Sequence, residues 1–349
     1  MVKRLFALLF GRSSSNPPAS TSRRAGPPPA QAPAPVVVAV APDPAAYREL
    51  LQAFDAVLFD DEVDAIGGAL SELEQRVLDH VEARVRDELP AGELPKLPAT
   101  VSQLMRELNR DDAGTRQIEE LVRRDPALAG DLLRLANSPA FRSGTQPVSS
   151  IEHALRLVGQ EVLRSMVVAL LMKPLLRIRP DYFERFGKRL WEHAMATAVA
   201  CRALAREHDC DPFVAYFAGL ALNVGRIALF RQTADTFART APRREPRAAV
   251  FRLLMQRHAL VLAANIVRQW GVEAAVPLAI HDQERVARGT PPEMLMPFGR
   301  LLFRANLLAA AALLRREGAL PDVRLEAALA PHGLSLALAG QLGLADVDV

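Results

Sequence analysis

Residues 123–159 read RRDPALAGDLLRLANSPAFRSGTQPVSSIEHALRLVG. Asp125 places a carboxylate ahead of Pro126, giving an N-cap followed by proline at the first helical position, where a missing amide proton costs nothing. Leu128, Leu132, Leu133 and Ala136 then recur at spacings of three and four, which predicts a helix with one apolar face. Asn137 to Pro147 is rich in Asn, Ser, Gly and Pro and is expected to be a loop, with Asn137 and Ser138 ending the helix by side-chain bonds to the backbone. Ser149 and Glu152 have the spacing of a capping box. They would open a short helix on Ile151, Ala154, Leu155 and Val158, closed by Gly159. No period-two alternation interrupts the pattern, so the expected fold is all-α.

The same punctuation continues outward. LPKLPAT (94–100) leads into a helix carrying Val101, Leu104, Met105 and Leu108, and Thr115 is placed to cap a helix on Ile118, Leu121 and Val122. Upstream, Leu70, Leu73, Val77, Val81 and Val85 form one apolar stripe, and Gly67-Gly68 separates it from a shorter helix around Tyr47 to Phe59. Nine of the 26 prolines lie between Pro17 and Pro44, and no acidic residue precedes Asp43, so this stretch is expected to be a disordered Pro-rich linker. Met1 to Arg12 has Val2, Leu5, Phe6 and Leu9 beside Lys3, Arg4 and Arg12. Its apolar run is too short for a secretory signal. A frayed terminus is expected there, with at most weak, reversible membrane contact. The chain therefore divides into a basic tail (1–45), a helical extension (46–91), a central domain (92–290) and C-terminal helices packed on it (291–349).

Composition bounds the function. The chain has 349 residues, 50% hydrophobic and 24% charged, with a net charge of +3. That is enough to bury a core but too mild a charge to argue for nucleic acid by itself. Cys201 and Cys210 form no CxxC pair, which fits a reducing, cytoplasmic setting. The longest uninterrupted apolar runs, such as Leu307 to Leu314 and Met166 to Met172, fall short of the roughly 20 residues that a bilayer requires. No membrane-spanning helix is expected on that count.

Several pieces together resemble one family. LPKLP (94–98), RRDPALAGDLLRLANS (123–138), PVSSIEHALRLVGQEVLRSMVVAL (147–170), WEHAMATAVACRALAR (191–206) and FAGLALNVGRIALF (217–230) are similar, in order, to the HDOD domain. The stretch from His258 to Asp282 continues the likeness. The resemblance implies a multi-helical fold related to the HD phosphohydrolases and a mostly non-catalytic signalling role. It also marks departures. Where the HD motif carries its metal-binding His-Asp pair, this chain has Leu222 and Asn223, and Arg226 stands where a lysine often follows.

Those two positions carry most of the functional reading. A metal-dependent phosphohydrolase needs imidazole nitrogens and anionic carboxylates to hold its cation and acidify a bound water. Leu222 has no lone pair to give, and Asn223 offers only a neutral carbonyl oxygen. His193, His258 and His281 fall where HD enzymes place further metal-binding histidines, so the expectation is a relict pocket of His193, Leu222, Asn223, Arg226, His258 and His281, with no metal, no cofactor and no catalytic residue. Arg243, Arg244 and Arg247, in a Pro-flanked loop, form a second candidate for contact with an anion or partner. The chain is thus read as a non-catalytic bacterial regulatory module, binding a protein partner or a small signalling ligand in the cytoplasm. Two other readings stand beside it: an HD-type metal-dependent phosphohydrolase of a nucleotide or cyclic dinucleotide, and a nucleic-acid-binding regulator.

Overall fold

The computed structural model describes residues 44–59, 69–86, 89–90, 92–106, 120, 122, 125–137, 147–176, 183–241 and 246–345. Among these there are helices and turns but no strand, as the apolar periodicity predicts. The order is α1 (Pro44–Val57), α2 (Glu72–Arg86), α3 (Ala99–Arg106), α4 (Pro126–Ala136), α5 (Ile151–Val158), α6 (Gln160–Leu176) and α7 (Glu184–Leu204). Then follow α8 (Pro212–Ala221), α9 (Val224–Thr240), α10 (Ala248–Gln269), α11 (Ala275–Ala287), α12 (Pro297–Arg316), α13 (Asp322–Leu329) and α14 (Leu336–Gln341). The expectations for the first 43 residues, for Gly67-Gly68 and for Thr115 to Leu121 other than Glu120 lie outside the described residues.

Local chemistry sets the helix starts. Asp125 Oδ1 accepts the amides of Ala127 and Leu128 at the head of α4, and Asp211 Oδ1 does the same for Phe213 and Val214 at the head of α8. Gly159 closes α5 with φ of 81°, a left-handed conformation that favours glycine. The cap of α5 is Ser150 rather than Ser149: its Oγ accepts from the amide of His153 at 3.1 Å, and the helix begins one residue later than predicted. The capping box lies elsewhere, at α2, where Ser71 N donates to Glu74 Oε2 at 2.8 Å and Glu74 N donates to Ser71 Oγ at 3.3 Å.

A single apolar cluster runs from Tyr47 to Leu344. Helix α7 lies at its centre, packed on α8 and α12, while α9 packs on α10. Two glycines let these helices meet backbone to backbone. A Cβ on Gly219 of α8 would stand 2.6 Å from the Ala198 Cα of α7, and one on Gly225 of α9 only 2.0 Å from the Ala259 carbonyl oxygen of α10. Leu128, Leu132, Ala136, Ala154 and Val158 are buried as predicted, but Leu133 and Leu155 are only partly buried, and Leu135 takes an inner position.

One correction concerns the long apolar helices. Helices α8 with α9, α10 and α12 are long and apolar enough to cross a membrane, a length that counting uninterrupted runs misses because polar residues break each run. Most of their apolar surface is buried inside the protein's own core. The extension packs on the core: α1 on α12 and α13, and α2 on α9 and α10. Phe59, just after α1, lies 4.8 Å from Phe186 between ring centroids, in an aromatic cluster that continues through Phe230 and Phe251.

Candidate functional site

Leu222 and Asn223 form the turn between α8 and α9, both buried, opposite the fully buried His193 of α7. The Asn223 side chain is engaged at both ends. Arg226, one turn into α9, donates through Nη1 to Asn223 Oδ1 at 3.1 Å. Asn223 Nδ2 lies 3.0 Å from His193 Nδ1. Because a guanidinium only donates, the amide oxygen must face Arg226 and the amide nitrogen must face the ring, so His193 accepts at Nδ1 and carries its proton on Nε2.

The chain of contacts then leaves the central domain. Arg226 Nη2 donates to Asp55 Oδ1 of α1 at 2.9 Å, with both side chains mostly buried. The neighbouring Phe54 lies against His193, ring centroids 4.2 Å apart, and the Arg226 guanidinium carbon lies 5.5 Å from the Phe54 centroid. Burial, reinforced by the positive charge of Arg226, pushes the His193 imidazole down to about 3. The Asn306 backbone opposes that shift, yet Nε2 makes no hydrogen bond of full geometry. The ring is therefore neutral across the physiological range.

These residues do not fit a divalent metal. The one oxygen that Asn223 could offer is held by a guanidinium, Leu222 lines the turn with hydrocarbon, and the nearest carboxylate, Asp55, already balances Arg226. Among the described residues no three His, Cys, Asp or Glu side chains come together as a ligand set.

The predicted pocket is accordingly split. His193, Leu222, Asn223 and Arg226 are brought together, whereas His258 and His281 are directed elsewhere. His258 on α10 lies 3.2 Å from Glu82 Oε1 of α2, which also accepts from Arg257 at 2.8 Å. His281 on α11 is exposed, its Nδ1 3.8 Å from Glu284 of the same helix. Spacing along the sequence suggested convergence, but each helix turns its histidine toward a different neighbour.

The second candidate site is also occupied from within. Arg247 grips Glu74 with Nε at 2.7 Å and with Nη2, and Nη2 further donates to the Ala69 carbonyl at 3.1 Å. Those hydrogen bonds hold the Glu74 carboxyl down at about 2, against the opposing effect of burial. Arg243 and Arg244 lie outside the described residues. Asn137 has the backbone role expected of it and extends it: Nδ2 donates to the Leu133 and Val148 carbonyls, and Oδ1 accepts from the Val148 amide at 2.7 Å. It ties the end of α4 to the approach to α5.

Phe54 and Asp55 are the site residues that sequence reasoning missed. Phe54 was visible only as part of the apolar face of α1, with Tyr47, Leu50 and Val57. No local pattern links Asp55 to an arginine 171 positions away.

The sequence model of the HDOD domain matches residues 94–286, more than half of the chain. Among solved structures, an HDOD domain protein of unknown function from Geobacter sulfurreducens superposes with a TM-score of 0.53 at 17% identity, covering 79% of this chain and 99% of that one. A Shewanella amazonensis SB2B protein that carries the provisional name metal-dependent phosphohydrolase superposes with a TM-score of 0.52 at 14% identity, covering 78% and 100%. At such identities the likeness is one of fold alone. An uncharacterized protein of Treponema pallidum (strain Nichols) is 28% identical over 137 residues, which is 39% of this chain but only about a quarter (26%) of that protein's length.

Proposed function

Because this chain belongs to the HDOD domain family, we propose that it is a non-catalytic bacterial regulatory module of the cytoplasm, which passes on a signal by binding a protein partner on its outer helical surface. The observation that carries this reading is the state of the pocket. At the position where an HD enzyme would hold its metal-binding pair, the chain has a leucine and an amide, and α1 closes the space with Phe54 on His193 and Asp55 on Arg226. A small signalling ligand is the weaker alternative for the same reason, since Phe54 and Asp55 fill the pocket and leave only His193 Nε2 and Arg226 Nε without a partner there. Nucleic acid is weaker still. Arg226, Arg247, Arg257, Arg315 and Arg324 each face a carboxylate of this chain, so much of the arginine excess is spent internally.

The phosphohydrolase alternative makes an opposite forecast, and one experiment separates the two. Full-length protein, purified and incubated in turn with Mn(II), Fe(II) and Zn(II), is assayed for bound metal and for hydrolysis of cyclic dinucleotides and nucleotides. The proposal expects neither stoichiometric metal nor turnover. Metal-dependent hydrolysis that is lost in His193→Ala, with the variant still folded, would overturn it.

A further inference from the structure

The pocket does more than lack metal ligands; it contains a cation of its own. Arg226 projects from the first turn of α9 to the place where position 223 presents its side-chain oxygen, with one guanidinium arm on that oxygen at 3.1 Å and the other on Asp55 at 2.9 Å. Phe54 walls it in on one side. The carboxylate that balances it comes from α1, outside residues 94–286 that match the family. We infer that Arg226, held by Asp55 of α1, is the resident cation of this pocket, and that restoring the His-Asp dipeptide alone does not restore a metal site.

The reasoning is electrostatic. An aspartate introduced at position 223 would present its oxygen to a guanidinium already within hydrogen-bonding distance, and the pair would form a charge-assisted bond. A divalent ion on that same carboxylate would be forced close to a like charge. Asp55 cannot be recruited as a replacement ligand without leaving Arg226 mostly buried and unbalanced. Nor do the other histidines help, because His258 is held by Glu82 and His281 faces outward. The helical extension is thereby a functional part of the pocket: it supplies the counter-charge that makes an arginine tolerable there.

This inference rests on the non-catalytic reading, but the two fail separately. Metal-dependent hydrolysis by the unaltered chain defeats the reading; metal uptake by the variant below, with the unaltered chain inactive, defeats the inference alone. In the first arm, full-length Leu222→His/Asn223→Asp protein is incubated with Mn(II), Fe(II) or Zn(II), and bound metal is counted after gel filtration. Less than a tenth of an equivalent is expected. One metal per chain, lost on adding His193→Ala, overturns the inference. If the double variant does not fold, Asn223→Asp alone is used with the same criterion. In the second arm, thermal unfolding is measured for Asp55→Asn, Arg226→Gln and the combination. Asp55→Asn is expected to lower the midpoint by several degrees in the native background and by less than half as much when Arg226 is already neutral. Equal shifts in both backgrounds overturn the pairing. Should Arg226→Gln fail to fold, Arg226→Met replaces it, because it keeps an apolar stem without the charge; the Asp55→Asn shift should again shrink, and an undiminished shift again overturns the pairing.

Discussion

The helical extension meets the central domain at two polar joints built from the same kinds of residue, and they differ in depth. At the inner joint Asp55, Arg226, Asn223 and His193 form a continuous chain with Phe54 laid over it, and His193 and Asn223 are fully buried. At the outer joint Glu74 pairs with Arg247, and Glu82 with Arg257 and His258, while the arginines remain about half exposed. Water reaches the outer arginines and weakens those pairs, although Glu74 itself is buried. Protein alone serves His193 and Asn223, so each depends on its neighbour. The inner joint lies where the resemblance to HD enzymes places their metal-binding pair, and the proposed non-catalytic role rests on its being closed by protein groups.

The contrast can be broken by substitution and by acid. Phe54→Ala should have the largest effect, a loss of about 3–5 kcal/mol from burial and cavity together, read from denaturant midpoints; a loss below about 0.5 kcal/mol, typical of surface sites, would show that α1 does not seal the pocket. Acid comes next. His193 is held near 3 when folded but titrates near 6.5 when unfolded, so the unfolded state binds the extra proton first. Its contribution is complete above pH 6.5 and is lost as the pH falls from 6.5 toward 3, with a slope of up to about 1.4 kcal/mol per pH unit that His193→Gln should flatten. Glu74, held at about 2 by Arg247, loses its contribution only as the pH falls from about 4.5 toward 2. Burial also pushes the His208 and His332 imidazoles down, so between pH 8 and 5 the inner joint is read as the difference between the native chain and His193→Gln. A curve that is flat above pH 4.5 would contradict the burial of a neutral His193.

Smaller effects follow in order. Asp55→Asn should cost about 1–3 kcal/mol, the range for leaving a buried partner unsatisfied. Glu82→Ala, at the outer joint, should cost about 1 kcal/mol or less and should shrink in high salt. If the second cost matched the first, depth would not be what separates the two joints.

Much of this architecture is written locally. The Asp-Pro caps of α4 and α8, the closing Gly159 and the stripe of α4 depend on neighbours within one or two turns, and those are legible in a sequence. That Leu222 and Asn223 stand where the resemblance places a His-Asp pair is legible for the same reason. Where two adjacent serines compete to cap α5, the sequence pattern chose the wrong one, because either can reach an amide three residues on. The capping box of α2 was equally readable at Ser71 and Glu74, although Glu74 also serves Arg247 from far along the chain. What spacing does not encode is the direction in which packed helices turn their side chains. His258 and His281 have plausible intervals and the wrong neighbours, while Asp55 has no motif and the decisive neighbour.

On the proposed reading, the turn at Leu222 and Asn223 is a closed structural joint around a neutral histidine. Nitrogen-15 NMR of the His193 ring tests it most directly, with the assignment fixed by His193→Gln and spectra taken from pH 7.5 to 4.5, with and without Zn(II). The account predicts an unchanging neutral ring protonated at Nε2, with Nδ1 accepting from Asn223, and no response to zinc. A ring that titrates near 6.5, or whose nitrogen shifts move on adding one equivalent of zinc, would contradict it.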